Sequence, residues 1–92
     1  MQRRGKPAKL TPEEAFARAL REIRTRRGIS QEELGFESGY HRTYISMLER
    51  GKMNPSLRTM LSIAATLRVS AAELVGGVEK LLGGAWRRDR EE

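Results

Sequence analysis

The residues best suited to chemistry lie between Gly39 and Lys52, in the stretch GYHRTYISMLERGK. Stepped at about 100° per residue, the segment from Arg42 to Arg50 divides as one amphipathic helix. Ile45 and Leu48 fall on one side, with Tyr44 flanking them. Thr43 and Arg50 fall opposite, Ser46 and Met47 lie on the shoulders, and Arg42 sits at the edge. A solvated face is usually rich in Glu and Lys, whereas this one carries short or flat side chains beside a long cation. Such a face suits the floor of a DNA groove. Arginine pairs bidentately with guanine, a threonine methyl meets a thymine methyl, and hydroxyls serve phosphates. The spacing alone fits an ordinary αα corner equally well; the make-up of the exposed face favours the groove.

Other chemistries have little to work with. The 92 residues include no cysteine, one histidine (His41) and one aspartate (Asp89). A thiolate metal site is therefore impossible, and zinc would need an almost all-carboxylate shell. A Ser-His-Asp triad would draw on Asp89 near the end of the chain, and no phosphate loop of the P-loop or dinucleotide type is present. These features predict a non-enzyme without cofactor or metal. No apolar run approaches the roughly 18 residues of a membrane span, and no apolar stretch of a secretory signal follows the basic N-terminus. No membrane association and a cytoplasmic location are expected.

The net charge is +6, and it is unevenly spread. Residues 1–12 hold Arg3, Arg4, Lys6 and Lys9 with no acid; residues 13–75 hold ten bases against eight acids; residues 76–92 hold four of each. A basic chain points to a polyanionic partner, but the near-balanced middle confines any nucleic-acid face to a local patch.

The elements that must position this face announce themselves by their caps. Thr11-Pro12-Glu13-Glu14 opens a helix with an N-cap, a proline at its first position and a capping box. Phe16, Leu20 and Ile23 then form one apolar stripe, and Gly28 ends the helix after Arg26 and Arg27. Ser30-Gln31-Glu32-Glu33 is a second capping box, opening a short helix with Leu34 inward and Ser38-Gly39 as its stop. The third helix runs from about Arg42 to Arg50. Asn54-Pro55 is a loop, and Ser56 caps a fourth helix with Leu57, Met60, Leu61, Ala64 and Leu67 expected inside. Ser70-Ala71-Ala72-Glu73 is a third capping box for a fifth helix, which Gly76-Gly77 is expected to break after Val75, leaving VEKLL for one further turn. No segment alternates with period two, so an all-α fold is predicted.

Helices two and three, joined through a glycine, have the spacing of a helix-turn-helix, whose second helix enters the major groove. Glu49 lands beside the buried side of that helix, where a lone carboxylate would cost several kcal/mol. Arg24, flanking the stripe of helix one, is the expected partner.

The stretch RTRRGISQEELGFESGYHRTYISMLERGKMNPSLRTMLSIAATLRVSAAELV resembles the XRE helix-turn-helix family of phage repressors, Cro-like proteins and bacterial regulators. Its anchors are Arg24, GISQEEL, Gly39, RTYIS, LERGK, NPSL and LRVSAAEL, over roughly residues 16–75; restriction-modification controller proteins carry stretches similar to RTYIS…ER. The resemblance implies a five-helix, lambda-repressor-like domain. It assigns Arg42, Thr43, Tyr44 and Met47 to base contacts; Gln31, Ser46, Arg50, Lys52 and Asn54 to DNA phosphates; and Arg24 with Glu49 to an internal salt bridge. Three positions depart from the family pattern. Gly35 replaces the usual Ala, at about 1 kcal/mol of helix stability. His41 is a poorer cap than the usual Ser or Thr. Phe36 stands at a normally exposed position and is expected to fold over helix one, the basic arm or a partner being the other takers.

The expected organisation is a basic flexible arm (1–10), the helix-turn-helix domain (11–75) and a C-terminal extension (76–92). The arm supports two readings, a disordered extension or a minor-groove or phosphate contact. Val75, Val78, Leu81, Leu82 and Trp86 either complete the core or form a dimer seam. One helix-turn-helix reads only a few base pairs, so a two-fold homodimer on a palindromic operator is predicted. The leading function is that of a sequence-specific, double-stranded-DNA-binding transcriptional regulator, acting as a repressor. The rival is a protein-interaction module, an antitoxin or adaptor, whose partner would be a protein.

Overall fold

The computed structural model describes residues 10–83. Residues 1–9 of the arm, and the tail with Trp86, lie outside the described residues. Five helices follow in order: α1 (Pro12–Arg26), α2 (Gln31–Ser38), α3 (Arg42–Glu49), α4 (Leu57–Leu67) and α5 (Ala71–Leu81). Among the described residues there is no strand, so the fold is all-α as the sequence pattern predicts.

Each start is fixed by a side chain that satisfies an otherwise unpaired N–H of the first turn. At α1 the exchange is reciprocal: Thr11 Oγ1 accepts from Glu14 N at 3.0 Å, and Glu14 Oε1 accepts from Thr11 N at 2.9 Å. At α2 and α5 the expected capping boxes are half made. Ser30 and Ser70 accept from the N–H of Glu33 and Glu73, both at 2.9 Å, without the return bond. The Glu73 carboxylate instead faces Arg26 of α1 at 3.5 Å. His41 does cap α3: its Nδ1 accepts from Thr43 N at 3.0 Å.

The core gathers Phe16, Leu20 and Ile23 from α1, Leu34 from α2, Ile45 and Leu48 from α3, Ile63 and Leu67 from α4, and Leu74 from α5. Each such side chain contributes about 1.5–3 kcal/mol when fully buried. α1 lies along α5, α2 pairs with α3, and α4 packs on both α2 and α5. The inward side of α4 differs from the expected stripe. Met60, Ala64 and Leu67 do face the core, but Leu57 and Leu61 are 66% and 51% exposed, and Thr59 and Ile63 are buried in their place. Thr59 is accommodated because its hydroxyl is bonded, by Tyr40 Oη at 2.9 Å and Ser56 Oγ at 3.1 Å. The inward side is itself an apolar stripe, Met60, Ile63, Ala64 and Leu67 at i, i+3, i+4 and i+7, which the expected set shares except for Ile63.

Two further expectations are overturned. Phe36 does not fold over α1; it is 86% exposed. Leu34 and Gly35 are the residues α2 turns inward, and Phe36 lies about 200° from Leu34 on the helix. Nor do Gly76-Gly77 break α5, which continues to Leu81. Gly77 faces α1, where an added Cβ would stand 3.5 Å from that of Ala19. Small residues there let the two helices approach, and Val78 beyond them packs on the core. The tertiary contact outweighs the roughly 1 kcal/mol each glycine costs a helix.

The turn between α2 and α3 rests on two glycines of different kinds. Gly39 ends α2 at φ +87°, the left-handed region that side chains resist. Gly35 has ordinary helical geometry, but the turn folds back over it. Tyr40 N donates to Gly35 O at 2.8 Å, and a Cβ on Gly35 would meet Tyr40 O at 2.7 Å. What reads in the sequence as a weakened helix is a close backbone approach. The same substitution should therefore act in opposite senses at two glycines. Gly76→Ala, in open space, should stabilise by about 0.5–1 kcal/mol, raising the melting temperature by several degrees. Gly35→Ala should lower it, because displacing the turn costs about 1–3 kcal/mol, more than the helix gains. Thermal melts of the two variants check both signs.

Candidate nucleic-acid interface

The exposed side of α3 is held in place from behind by one carboxylate. The side chain of Glu49, in the last turn, is wholly buried. Arg24 of α1 grips it as a fork, Nε donating to Oε2 at 2.5 Å and Nη2 to Oε1 at 2.9 Å, while Nη1 donates to the Ile29 carbonyl at 2.7 Å. Gln31 Nε2 adds a bond to Oε1 at 2.9 Å, and Arg21 Nε stands 3.7 Å from the same oxygen. One buried charge thus joins α1, the α1–α2 connection, the start of α2 and the end of α3. The hydrogen bond to Glu49 raises the Arg24 pKa above its ordinary value, with Coulomb attraction adding and burial opposing. A group whose pKa rises on folding contributes stability that is complete below its unfolded value and fades only above it. For arginine that window lies beyond any physiological pH.

On the outer side, Arg42, Thr43 and Arg50 are exposed and Ser46 and Met47 are half-buried on the shoulders. Lys52 and Asn54, in the loop after α3, are exposed as well. Tyr44 is different. It is half-buried against the core, its ring 5.2 Å from that of Tyr40 and tilted by 31°. The two tyrosines prop the start of α3 against α4, since Tyr40 also reaches Thr59. Gln31 is likewise already engaged, its amide donating to Glu49.

A cleft of about 250 Å³ opens between the starts of α2 and α3, lined by Gln31, His41, Arg42, Thr43 and Ser46. Two helix N-termini meet there, and helix N-termini favour anions. The structure therefore brings Gln31, Arg42, Thr43 and Ser46 around one concavity, with Met47 and Arg50 further along α3 and Lys52 and Asn54 beyond its end. Sequence reasoning passed over Arg21 and the Tyr40–Thr59 bond. Arg21 had a signal, lying three residues before Arg24 on the same helical face; Tyr40 had none. Among the described residues, no group of three or more His, Cys, Asp or Glu is placed to hold a metal, and no single helix is long and apolar enough to cross a membrane.

A helix-turn-helix family model matches residues 20–74, which span α2, α3 and their turn. The chain belongs to the helix-turn-helix family. It is a family of DNA-binding transcriptional regulators and not of enzymes. The chain is similar to an uncharacterized HTH-type transcriptional regulator, y4dJ, of Sinorhizobium fredii. The two are 45% identical over 60 residues, 65% of this chain and 73% of that protein. Two further relatives are longer, and the chain spans 46% of one and 52% of the other. Among solved structures, the fold is similar to the restriction-modification controller protein C.AhdI from Aeromonas hydrophila, with TM-score 0.66, 44% identity, and coverage of 67% of this chain and 94% of that one. It is also similar to the clp gene regulator ClgR from Corynebacterium glutamicum, with TM-score 0.79, 28% identity, and coverage of 83% and 81%.

The Glu49 anchor yields a quantitative expectation. Arg24→Met leaves a buried carboxylate without its cation and should cost about 3–5 kcal/mol. Adding Glu49→Met should recover much of that loss, because an apolar pair of similar volume needs no desolvation. Urea denaturation of the single and double variants measures both.

Proposed function

We propose that this chain is a sequence-specific repressor that binds a two-fold operator as a homodimer in the cytoplasm. The observation that carries the reading is the outer face of α3, where Arg42 and Thr43 stand exposed in the first turn while Glu49 fixes the helix from behind. A helix-turn-helix contacts base edges with the N-terminal residues of its second helix. Arg42, Thr43 and Met47 are the proposed base-reading residues. Gln31, Ser46, Arg50, Lys52 and Asn54 are proposed to hold phosphates, Gln31 through the α2 N-terminus and its side chain together. Tyr44 is proposed to contact the duplex with its hydroxyl edge while its ring stays against Tyr40. Repression fits a DNA-binding domain of this size because occupying a promoter needs no additional surface.

The homodimer reading draws on the apolar side chains left outside the core. Leu57 and Leu61 lie one turn apart on α4, and Val75 and Leu81 are partly exposed on α5, which packs against α4. Leu57 and Leu61 supply an apolar strip that a second copy could cover, and a two-fold pairing would present two copies of α3 to successive turns of a duplex.

Selection from a random duplex pool tests the function. An enriched two-fold motif is expected, and salt-sensitive binding without enrichment would turn the reading towards a protein-interaction module. On the selected site, Arg42→Ala should weaken binding by about 1–3 kcal/mol, roughly 10- to 100-fold, and relax preference at one base pair. Leu61→Glu should convert the dimer into a monomer in sedimentation equilibrium at tens of micromolar without lowering helix content. A wild-type chain that sediments as a monomer at that concentration would rule the dimer out.

A further inference from the structure

A second concavity lies on the other side of the Glu49 anchor, between α1 and the end of α3. It has a volume of about 390 Å³, and its walls include Glu14, Arg18, Arg21, Glu49, Arg50 and Gly51. Three guanidinium groups therefore surround one open cleft. Its two carboxylates are already engaged. Glu49 accepts two bonds from Arg24 and one from Gln31, and Glu14 closes the capping box of α1. Arg21 stands 3.7 Å from Glu49, outside hydrogen-bond reach, and its side chain is 64% exposed. Among the described residues, neither Arg18 nor Arg50 pairs with a carboxylate. The cleft thus presents unspent arginine donors, the geometry that matches phosphate oxygens.

Its position gives the ligand. Arg50 belongs both to this cleft and to the outer side of α3. Gln31, which lines the cleft at the start of α3, and Arg21, which lines this one, approach the same Glu49 oxygen from two sides. The two concavities are therefore neighbours flanking the exposed side of one helix. We propose that the α1 cleft takes a phosphodiester of the duplex lying beside α3, held by Arg18 and Arg21 with Arg50. α1 then acts as a backbone clamp that sets the angle of the recognition helix and reads no base. This inference rests on the DNA-binding reading above.

The test is the salt dependence of binding to the selected duplex by the full chain carrying Arg18→Gln and Arg21→Gln. Each phosphate contact contributes about 0.9 to the slope of log K against log salt. The double variant should lose about 0.9 if the arginines share one phosphate and about 1.8 if they take two. The selected motif should be unchanged, since the clamp makes no base contact. Lys80→Gln removes one charge outside both clefts and should leave the slope intact. Wild-type slope in the double variant, or an equal loss in the Lys80 variant, would overturn the clamp while leaving DNA binding standing. A wild-type chain without salt-sensitive duplex binding would overturn both readings. Titration with inorganic phosphate, followed at the arginine Nε–H resonances, separates the source. Movement of Arg18 and Arg21 signals with phosphate alone, joined to an unaltered slope, would reassign the cleft to a free anion and overturn the proposal. Both side chains are exposed and Arg24 keeps its fork on Glu49 in the double variant, so thermal melts should show a cooperative fold with no more than a small loss from the Arg21–Glu49 approach.

Discussion

The buried ion pair of Arg24 and Glu49 is the constraint around which this small domain is organised. A carboxylate withdrawn from water is tolerated only where cations and hydrogen-bond donors surround it. Satisfying this one requires α1, the Ile29 carbonyl, Gln31 and the end of α3 to meet at fixed separations. Apolar packing alone would permit α3 to slide or rotate by small amounts at little cost. A forked, directional contact does not. The pair is thus better understood as setting the attitude of α3 than as a net source of stability.

The same division of labour recurs at the other end of α3. There Tyr40 and Tyr44 stack, and the Tyr40 hydroxyl reaches Thr59 of α4. Between these two supports the helix contributes only Ile45 and Leu48 to the core, which frees nearly half its circumference. Gly35 and Gly39 shorten the connection to α2 so that the two helix N-termini open onto a common concavity. The candidate interface is consequently a rigid ledge and not a loop surface, and rigid elements hold recognition geometry better.

Much of this was legible in the sequence, and the reasons for the failures are physical. Caps at Thr11, Ser30, Ser56 and Ser70 are local chemistry, so helix starts were readable to the residue. The wheel of α3 separated Ile45 and Leu48 from Arg42, Thr43 and Arg50, and placed Glu49 facing α1. Much of what failed depended on neighbours distant in the chain. Leu57 and Leu61 looked like core because two overlapping apolar stripes run along α4, and the one that packs on the other helices is the one with Ile63. Gly76-Gly77 looked like a stop because Ala19 of α1 was not in view. Gly35 looked like a defect because helix propensity takes no account of the following turn, which folds back over it at Tyr40. Phe36 was expected to fold over α1, and the structure leaves it exposed on α2. Arg68 ends α4 in the left-handed region at φ +62° with no glycine to signal it, its carbonyl accepting from Arg27 at 3.0 Å.

The eight residues of α3 make a helix of about 12 Å, no longer than some four base-pair steps of roughly 3.4 Å. Length therefore caps the information one copy can extract. A perfect reading of about four base pairs recurs by chance every few hundred base pairs, far too often to mark one locus among the roughly million or more competing positions of a genome. Two copies held at fixed spacing square that figure, to about one occurrence in tens of thousands. Under the proposed pairing, the shape and flexibility of the DNA between the half-sites would add to that discrimination. For such a pair, the brevity of a single helix would make spacing, and not only base identity, part of the address.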